Sequence, residues 1–265
     1  MTQLIPAPLP TRSFSMVRTV FALMLREMAT TYGRSIFGYL WAILEPAAGI
    51  LLLTFAFSLA LQSPPLGTDF SFFYASGMVP FLAYMDISTK TAQSLRFSKP
   101  LMAFPAVTFV DAIIARFLLN SLTQLMVGSC VFLGIIVSFS VDVLLEPVAL
   151  LAALVMLMSL ALGVGVLNCF LLSMYPLWER IWGILNRPMF LASGVFFLFE
   201  SVPEPYSSFL WYNPLIHVIG MLRLGLFATY SADYVSFAYV MGVSLTCLVL
   251  GLIMLRRYHG DILDL

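Results

Sequence analysis

Six long runs of apolar residues, separated by short connections that carry most of the charged side chains, dominate the chain. An α-helix needs about 20 consecutive apolar residues to cross the hydrocarbon core of a bilayer, and these runs are near or above that length. The pattern predicts an all-α integral membrane protein in which residues 34–258 form one domain. Its six transmembrane helices are predicted at residues 37–61, 70–87, 107–137, 148–172, 181–199 and 235–255.

A different pattern precedes the first apolar run. Between residues 14 and 33, apolar side chains such as Val17 and Phe21 recur at spacings of three and four, while Arg18 and Arg26 lie on the opposite side. This periodicity is typical of an amphipathic helix that lies on a membrane surface. We therefore predict such a helix at the cytoplasmic interface.

The two ends of the chain lie outside these helices. The first ten residues are rich in Pro and contain no Lys or Arg, so we expect no cleavable signal peptide. Residues 1–13 are predicted to be a disordered leader, and residues 259–265 a short cytoplasmic tail.

Positive charges alternate from one connection to the next. Lys and Arg occur in the N-terminal segment, after the second and fourth apolar runs and at the C-terminus, whereas the connections after the first and third runs have none. Basic connections tend to stay on the cytoplasmic side of a membrane. Both termini are therefore predicted to be cytoplasmic.

The longest connection, residues 200–234, lies between the fifth and sixth predicted spans. It is apolar in part but has no single run long enough to cross a bilayer, and its only basic residue is Arg223. We predict short re-entrant or periplasmic helices there. In the fourth run, Ser159, Gly163 and Gly165 are small residues that predict the close approach of another helix.

Composition supports the membrane assignment and excludes several chemistries. Of 265 residues, 61% are hydrophobic and 10% are charged. Cys130, Cys169 and Cys247 each lie within an apolar run, with no partner at metal-ligand spacing, so packing is the favoured explanation for them. His217 and His259 are separated by a predicted span, so we expect neither a metal site nor a catalytic nucleophile.

The chain also lacks a nucleotide-binding loop. The sequence G-x-x-x-x-G-K-[ST] cannot occur because no Gly is followed by Lys anywhere in the chain. We therefore expect this chain not to hydrolyse ATP by itself and to bind no cofactor.

A few charged residues are predicted at membrane depth. A charge near hydrocarbon marks a functional site by default, unless it lies at an interface. For Glu45, which precedes the helix-kinking Pro46, a functional and a structural role both remain open. Asp111 and Arg116 are five residues apart on one helix and need not pair with each other. The full set is Glu45, Asp86, Asp111, Arg116, Arg187 and, in the re-entrant stretch, Arg223.

Aromatic residues are abundant at the ends of the predicted spans. Tyr and Trp at both interfaces are common in membrane proteins, and that accounts for many of them. The alternative is a canal whose aromatic faces contact sugar rings weakly, so that a long polymer can slide. Its candidate residues are Phe72, Phe73, Tyr74, Tyr84, Phe196 and Phe197.

Several short motifs stand out along the chain. They are Leu25-Arg26-Glu27, Tyr32-Gly33-Arg34-Ser35, Gly38-Tyr39-Leu40-Trp41, Glu45-Pro46, Ser193-Gly194-Val195-Phe196-Phe197 and Asn213-Pro214-Leu215-Ile216-His217. With these motifs the sequence resembles the permease subunits of polysaccharide-exporting ABC transporters, and most of all the capsule-export branch of KpsM type. The resemblance extends from about residue 14 to residue 258.

The resemblance implies a six-span permease in the bacterial inner membrane that works as a homodimer. A separate ATPase subunit would bind ATP and Mg and dock on the loop after span two. A periplasmic adaptor of co-polymerase type and an outer-membrane export channel are the other expected protein partners, and no nucleic acid is expected. The residues on which the resemblance implies that the ATPase docks are Arg96, Ser98, Lys99, Pro100, Leu101 and Phe104.

The cargo implied by the resemblance is a lipid-linked capsular polysaccharide, moved from cytoplasm to periplasm. Together with the canal aromatics, the predicted polymer entrance comprises Arg34, Tyr39, Trp41 and Glu45. Two alternatives remain open. One is a permease of the same fold for O-antigen, teichoic acid or a small lipophilic compound; the other is an ion-coupled transporter or membrane enzyme that has no ATPase.

Overall fold

A computed structural model describes residues 15–31, 38–102, 107–139, 141, 145–227 and 229–264 of the chain. The described residues form ten α-helices and one short 3-10 helix, Phe199–Ser201, in agreement with the predicted all-α class. The α-helices are α1 (Ser15–Thr31), α2 (Gly38–Ser58), α3 (Phe70–Ala92), α4 (Ser94–Met102), α5 (Phe109–Phe139), α6 (Pro147–Met174), α7 (Pro176–Ala192), α8 (Tyr206–Trp211), α9 (Pro214–Leu226) and α10 (Phe237–Asp264).

Four of these helices are long and apolar enough to cross a membrane. They are α2 from Leu40 onward, α5, α6, and α10 as far as Tyr258. Helix α3 has 23 residues but more polar side chains, and α7 has 17 residues. Four of the six predicted spans are thus matched by helices of suitable length and composition, while the transmembrane course of α3 and α7 stays a prediction.

Helix α3 lies at the centre of the bundle, where it packs against α2, α5, α6 and α9. The carboxylate of Asp69 accepts hydrogen bonds from the backbone N–H groups of Ser71 and Phe72, which fixes the start of the helix. Phe73 and Tyr74, in the first turns, are 0% exposed. The beginning of α3 is therefore part of the core of the chain.

Small residues set the spacing between α6 and its neighbours. A Cβ atom added at Gly163 would overlap the backbone carbonyl of Ser244 on α10, and one at Gly165 would lie 2.8 Å from the Cβ of Thr91 on α3. Two helix backbones can approach this closely only where no side chain intervenes. The close approach predicted for this part of the chain is confirmed.

Helix α1 carries a face that is apolar and exposed. Val17, Phe21 and Leu25 are exposed, whereas Glu27 is buried against the bundle. An exposed apolar stripe of this kind suits contact with the membrane surface rather than with water. The amphipathic helix is therefore present where it was predicted, and its place on the cytoplasmic surface stays a prediction.

The connection between α7 and α10 contains the predicted short helices, α8 and α9. Arg223 of α9 is buried and donates hydrogen bonds to the Ser76 hydroxyl and to the carbonyls of Val195 and Phe197. The hydrogen bond to Ser76 ties the connection to α3. Nearby, burial raises the pKa of Tyr234 to about 12, so its hydroxyl keeps its proton at neutral pH. A re-entrant course for the connection stays a prediction.

Candidate functional site

Two cavities lie side by side along α3 and share the lining residues Met85 and Thr89. The first, which we call the α2 cavity, lies between α2, α3 and α5 and has a volume of about 490 Å³. The second, the α7 cavity, lies between α3 and α7, is also lined by Leu172 of α6, and has a volume of about 350 Å³. Both are within the size range of small-ligand sites, about 300–1,000 Å³.

The α2 cavity has an aromatic wall and a charged wall. Trp41 and Glu45 both line the cavity and are one helical turn apart on α2, so they lie on the same face of that helix. The side chain of Trp41, which forms the aromatic wall, is 65% exposed. On α3, the Lys90 Nζ lies 3.0 Å from Asp86 Oδ2, which also accepts a hydrogen bond of 2.7 Å from Gln124 of α5. An aromatic surface beside polar groups suits a ligand that has both apolar faces and hydroxyl groups.

The α7 cavity is formed by one face of α7 and one face of α3. On α7 its lining follows the helical spacings of three and four: Glu179, Trp182, Gly183, Asn186 and Arg187. The ring of Trp182 stacks on Trp178, with centroids 6.3 Å apart. Trp178 is itself held by a hydrogen bond of 2.8 Å from its Nε1 to Oδ1 of Asn168 on α6. The lining of this cavity is therefore supported by a second layer of contacts.

Most of the charges predicted at membrane depth have partners within the chain. Arg116 pairs with Glu27 rather than with Asp111, whose carboxylate accepts hydrogen bonds from Thr108. The expectation that Asp111 and Arg116 need not pair is confirmed.

Two of the charged residues predicted at membrane depth, Glu45 and Arg187, differ from the others in their surroundings. Among the residues that the structure describes, the side chains of Glu45 and Arg187 have no hydrogen-bond or ion-pair partner. Glu45 lines the α2 cavity and Arg187 lines the α7 cavity. The two charges without a protein partner are thus at the two cavities, where another molecule can reach them.

The structure places the predicted canal aromatics in different surroundings. Phe72, Phe73, Tyr74 and Tyr84 are all buried in the core of the chain, so they face protein rather than an open path in this conformation. Their part in a polymer path stays a prediction that a different conformation would have to expose. They are not included in the site described here.

The remaining entrance and canal residues are divided between two regions. Trp41 and Glu45 come together in the α2 cavity. Phe196 and Phe197 are half-buried beyond α7, where Phe196 packs edge-on against Phe190. Arg34 lies outside the described residues, as does the side chain of Tyr39, the second residue of α2.

Five of the six predicted docking residues lie on helix α4. Lys99 and Pro100 are exposed and Leu101 is half-buried, whereas Ser98 is 3% exposed and packs inside the chain. Phe104 lies outside the described residues. The guanidinium of Arg96 is engaged within the chain, because its Nη1 lies 2.7 Å from Glu179 Oε2 and its Nη2 donates to the carbonyl of Leu172. The accessible part of α4 is therefore centred on Lys99 and Pro100.

A buried arginine of α5, Arg116, links α4 to α1. The Arg116 guanidinium lies 4.4 Å from the centroid of the Phe97 ring on α4 and donates a 3.1 Å hydrogen bond to the carbonyl of Gln93, where α3 ends. Its Nε donates to Glu27 of α1 across 2.9 Å. Helix α4 is thus linked to α7 through Arg96 and to α1 and α5 through Phe97.

Sequence reasoning did not select Glu27, Phe97, Trp182 or Asn186 as site residues. A signal existed for the α7 pair: Trp182 and Asn186 can both form hydrogen bonds and are one turn apart, on either side of the apolar residues 183–185, with Arg187 next to Asn186. For Glu27 and Phe97 no local signal exists, because their partner Arg116 is distant in sequence.

The helices and the two charged cavities define a helical membrane protein that crosses the bilayer several times. Residues 18–227 match the sequence profile of the ABC-2 type transporter family, and the chain belongs to that family. It is 30% identical over 238 residues to the polysialic acid transport protein KpsM of Escherichia coli, covering 90% of this chain and 92% of that protein.

Two further relatives are similar over almost their whole length. The chain is 26% identical over 250 residues to the capsule polysaccharide export inner-membrane protein BexB of Haemophilus influenzae, covering 92% of each protein. It is 24% identical over 245 residues to the inner-membrane protein CtrC of Neisseria meningitidis serogroup A, again covering 92% of each. The predicted resemblance to capsule-export permeases is confirmed.

Proposed function

We propose that this chain is the membrane subunit of an ATP-driven exporter that moves a lipid-linked capsular polysaccharide from cytoplasm to periplasm. Its family and its relatives named for polysialic acid transport and capsule polysaccharide export support this function. The observation that carries it is the α2 cavity, in which the predicted entrance residues Trp41 and Glu45 meet the polar side chains of Asp86 and Gln124.

The proposed assembly is a homodimer in the inner membrane, with six spans and both termini cytoplasmic. A separate ATPase binds ATP and Mg and docks on the exposed surface of α4 around Lys99 and Pro100. A periplasmic adaptor and an outer-membrane channel continue the path. The exposed apolar faces of α2 and α7, which include Leu52 and Ile184, are available for a second copy of the chain.

The proposed mechanism uses the contacts of α4. When the ATPase moves α4, the Arg96–Glu179 pair transmits the movement to α7, and the contact of Phe97 with Arg116 transmits it to α5 and α1. Displacement of α7 relative to α3 would change the width of the α7 cavity, and displacement of α5 would change that of the α2 cavity. Sugar rings in contact with Trp41 are held weakly, which permits the polymer to slide instead of remaining bound.

Reconstitution of the chain with its ATPase in vesicles tests this proposal. Trp41→Ala, and Arg34→Ala at the predicted entrance, should lower both polymer transport and polymer-stimulated ATP hydrolysis. The control is Phe209→Ala, which removes an exposed aromatic side chain of α8 that does not line the cavity. Equal transport by all four proteins would contradict the assigned entrance. Purification from native membranes without any nucleotide-binding subunit would contradict the proposed exporter itself.

A further inference from the structure

Asn186 in the α7 cavity has a hydrogen-bond acceptor that the chain does not use. The residue is 9% exposed, and its Oδ1 atom accepts no hydrogen bond from any residue that the structure describes. A buried polar atom without a partner is costly and calls for an explanation. Since Asn186 lines the cavity, a donor group on a ligand there would satisfy it.

The electrostatics of the cavity favour an anion. Two charged side chains of α7 line it, Glu179 and Arg187. The carboxylate of Glu179 is compensated by Arg96 across 2.7 Å, whereas no described carboxylate lies within ion-pair distance of Arg187. The uncompensated charge in the cavity is therefore positive, and a guanidinium binds a carboxylate through two parallel hydrogen bonds.

The shape of the cavity favours a ring with one apolar face. Trp182 lines it, and the ring is supported from behind by its stacking contact with Trp178. Phe81 and Met85 of α3 supply apolar surface on the opposite wall. A hydroxylated ring can place its C–H face on an aromatic side chain while its edge makes hydrogen bonds. A phosphate headgroup of a lipid would satisfy Arg187 but would leave the aromatic surface uncovered.

We propose that the α7 cavity is a binding subsite for an acidic sugar residue of a glycan. Its carboxylate binds Arg187, a ring hydroxyl donates to Oδ1 of Asn186, and its apolar face lies on Trp182. The assignment rests on the proposed export function and adds to it a selectivity for acidic over neutral polymers. It also gives the two cavities different tasks, because the α2 cavity lacks an uncompensated cation among its described lining residues.

Binding to the purified full-length chain in detergent tests the subsite. The probes are an acidic oligosaccharide and its neutral analogue, in which each carboxylate is reduced to an alcohol, and calorimetry gives the affinities. The wild-type chain should prefer the acidic probe. Arg187→Gln should weaken binding of the acidic probe by roughly 10- to 100-fold, the range for hydrogen bonds to charged groups, and leave the neutral probe unchanged. Arg180→Gln, an exposed position of α7 outside the cavity, is the matched control.

A second variant separates recognition from folding. Asn186→Asp keeps the size of the side chain but places a negative charge beside the ligand. It should therefore abolish the preference for the acidic probe. The variant should still purify as a folded protein, whether dimer or monomer. Unchanged affinities in both Arg187→Gln and Asn186→Asp would overturn the subsite. Displacement of the acidic probe by short-chain phosphatidylglycerol, with no effect of the neutral analogue, would also overturn it and assign the cavity to a lipid headgroup.

The outcome for the subsite can be distinguished from that for the proposed function. If Trp41→Ala lowers transport while Arg187→Gln and Asn186→Asp both bind the two probes as the wild type does, the export function stands and the α7 subsite is wrong. If the wild-type chain binds neither probe and the reconstituted complex transports no polymer, both proposals are wrong.

Discussion

The guanidinium of Arg116 on α5 lies 2.9 Å from the carboxylate of Glu27 on α1, and both side chains are buried. The same guanidinium contacts the ring of Phe97 on α4 and the carbonyl of Gln93 at the end of α3. One buried arginine thus holds together α1, the proposed docking helix α4 and two helices of the bundle, α3 and α5.

Removal of one member of this pair should be strongly destabilising. Glu27→Ala leaves Arg116 buried without a counter-charge, for which losses of about 3–5 kcal/mol are typical. We expect a large fall in thermal unfolding temperature in detergent. The double variant with Glu27→Leu and Arg116→Leu should recover part of the loss, because no isolated charge remains.

Arg18→Ala is the control for this comparison, since Arg18 is exposed on the same helix. A Glu27→Ala protein as stable as the Arg18→Ala protein would show that the pair contributes nothing to the attachment of α1.

The Arg96–Glu179 pair should affect coupling more than stability. Both side chains are partly exposed, at 41% and 56%, and exposed ion pairs typically contribute about 0–1 kcal/mol. Glu179→Gln should therefore leave the unfolding temperature nearly unchanged. In the complex with the ATPase it should lower polymer transport per ATP hydrolysed, because the link from α4 to α7 is lost.

The charge-reversed pair, Arg96→Glu with Glu179→Arg, should restore part of the coupling. If the single variant couples as well as the wild type, movement of α4 reaches α7 by another route.

At Glu45 and Pro46 we expect the shape of α2 to matter more than the charge. Glu45 is exposed in the α2 cavity, whereas Pro46 is buried in the helix and removes one backbone hydrogen bond. Glu45→Gln should preserve transport, because an amide still hydrogen-bonds to hydroxyl groups. Pro46→Ala should impair transport in the same vesicle assay. The opposite result, loss with Glu45→Gln and none with Pro46→Ala, would assign the function to the carboxylate.

Gly163 and Gly134 should respond in opposite ways to the same substitution. A methyl group at Gly163 would overlap the carbonyl of Ser244, so Gly163→Ala should destabilise the protein by about 1–3 kcal/mol. At Gly134 of α5 an added Cβ meets no atom within 4 Å, so Gly134→Ala should be neutral or stabilising by up to about 1 kcal/mol. Chemical denaturation in mixed micelles compares the two, and equal stabilities would contradict the close α6–α10 contact.

Local features of the sequence were sufficient for the helices and for the family. Length and hydropathy predict α5, α6 and α10, because a long apolar run in a bilayer must satisfy its own backbone and therefore forms a helix. The spacing of three and four predicts α1 in the same local way, and the small residues Gly163 and Gly165 predict a close contact without naming the partner.

Only the tertiary structure decided which groups meet. Glu27 and Arg116 are 89 residues apart, and no local pattern joins them. The aromatic cluster from Phe72 to Tyr74 proved to be buried, while Trp41 faces a cavity. In a bilayer, the side of a helix that faces lipid and the side that faces protein are both apolar, so hydropathy cannot distinguish them. The packing of α3 against α2, α5, α6 and α9 makes that distinction. Glu45 and Arg187 are left at the two cavities beside α3.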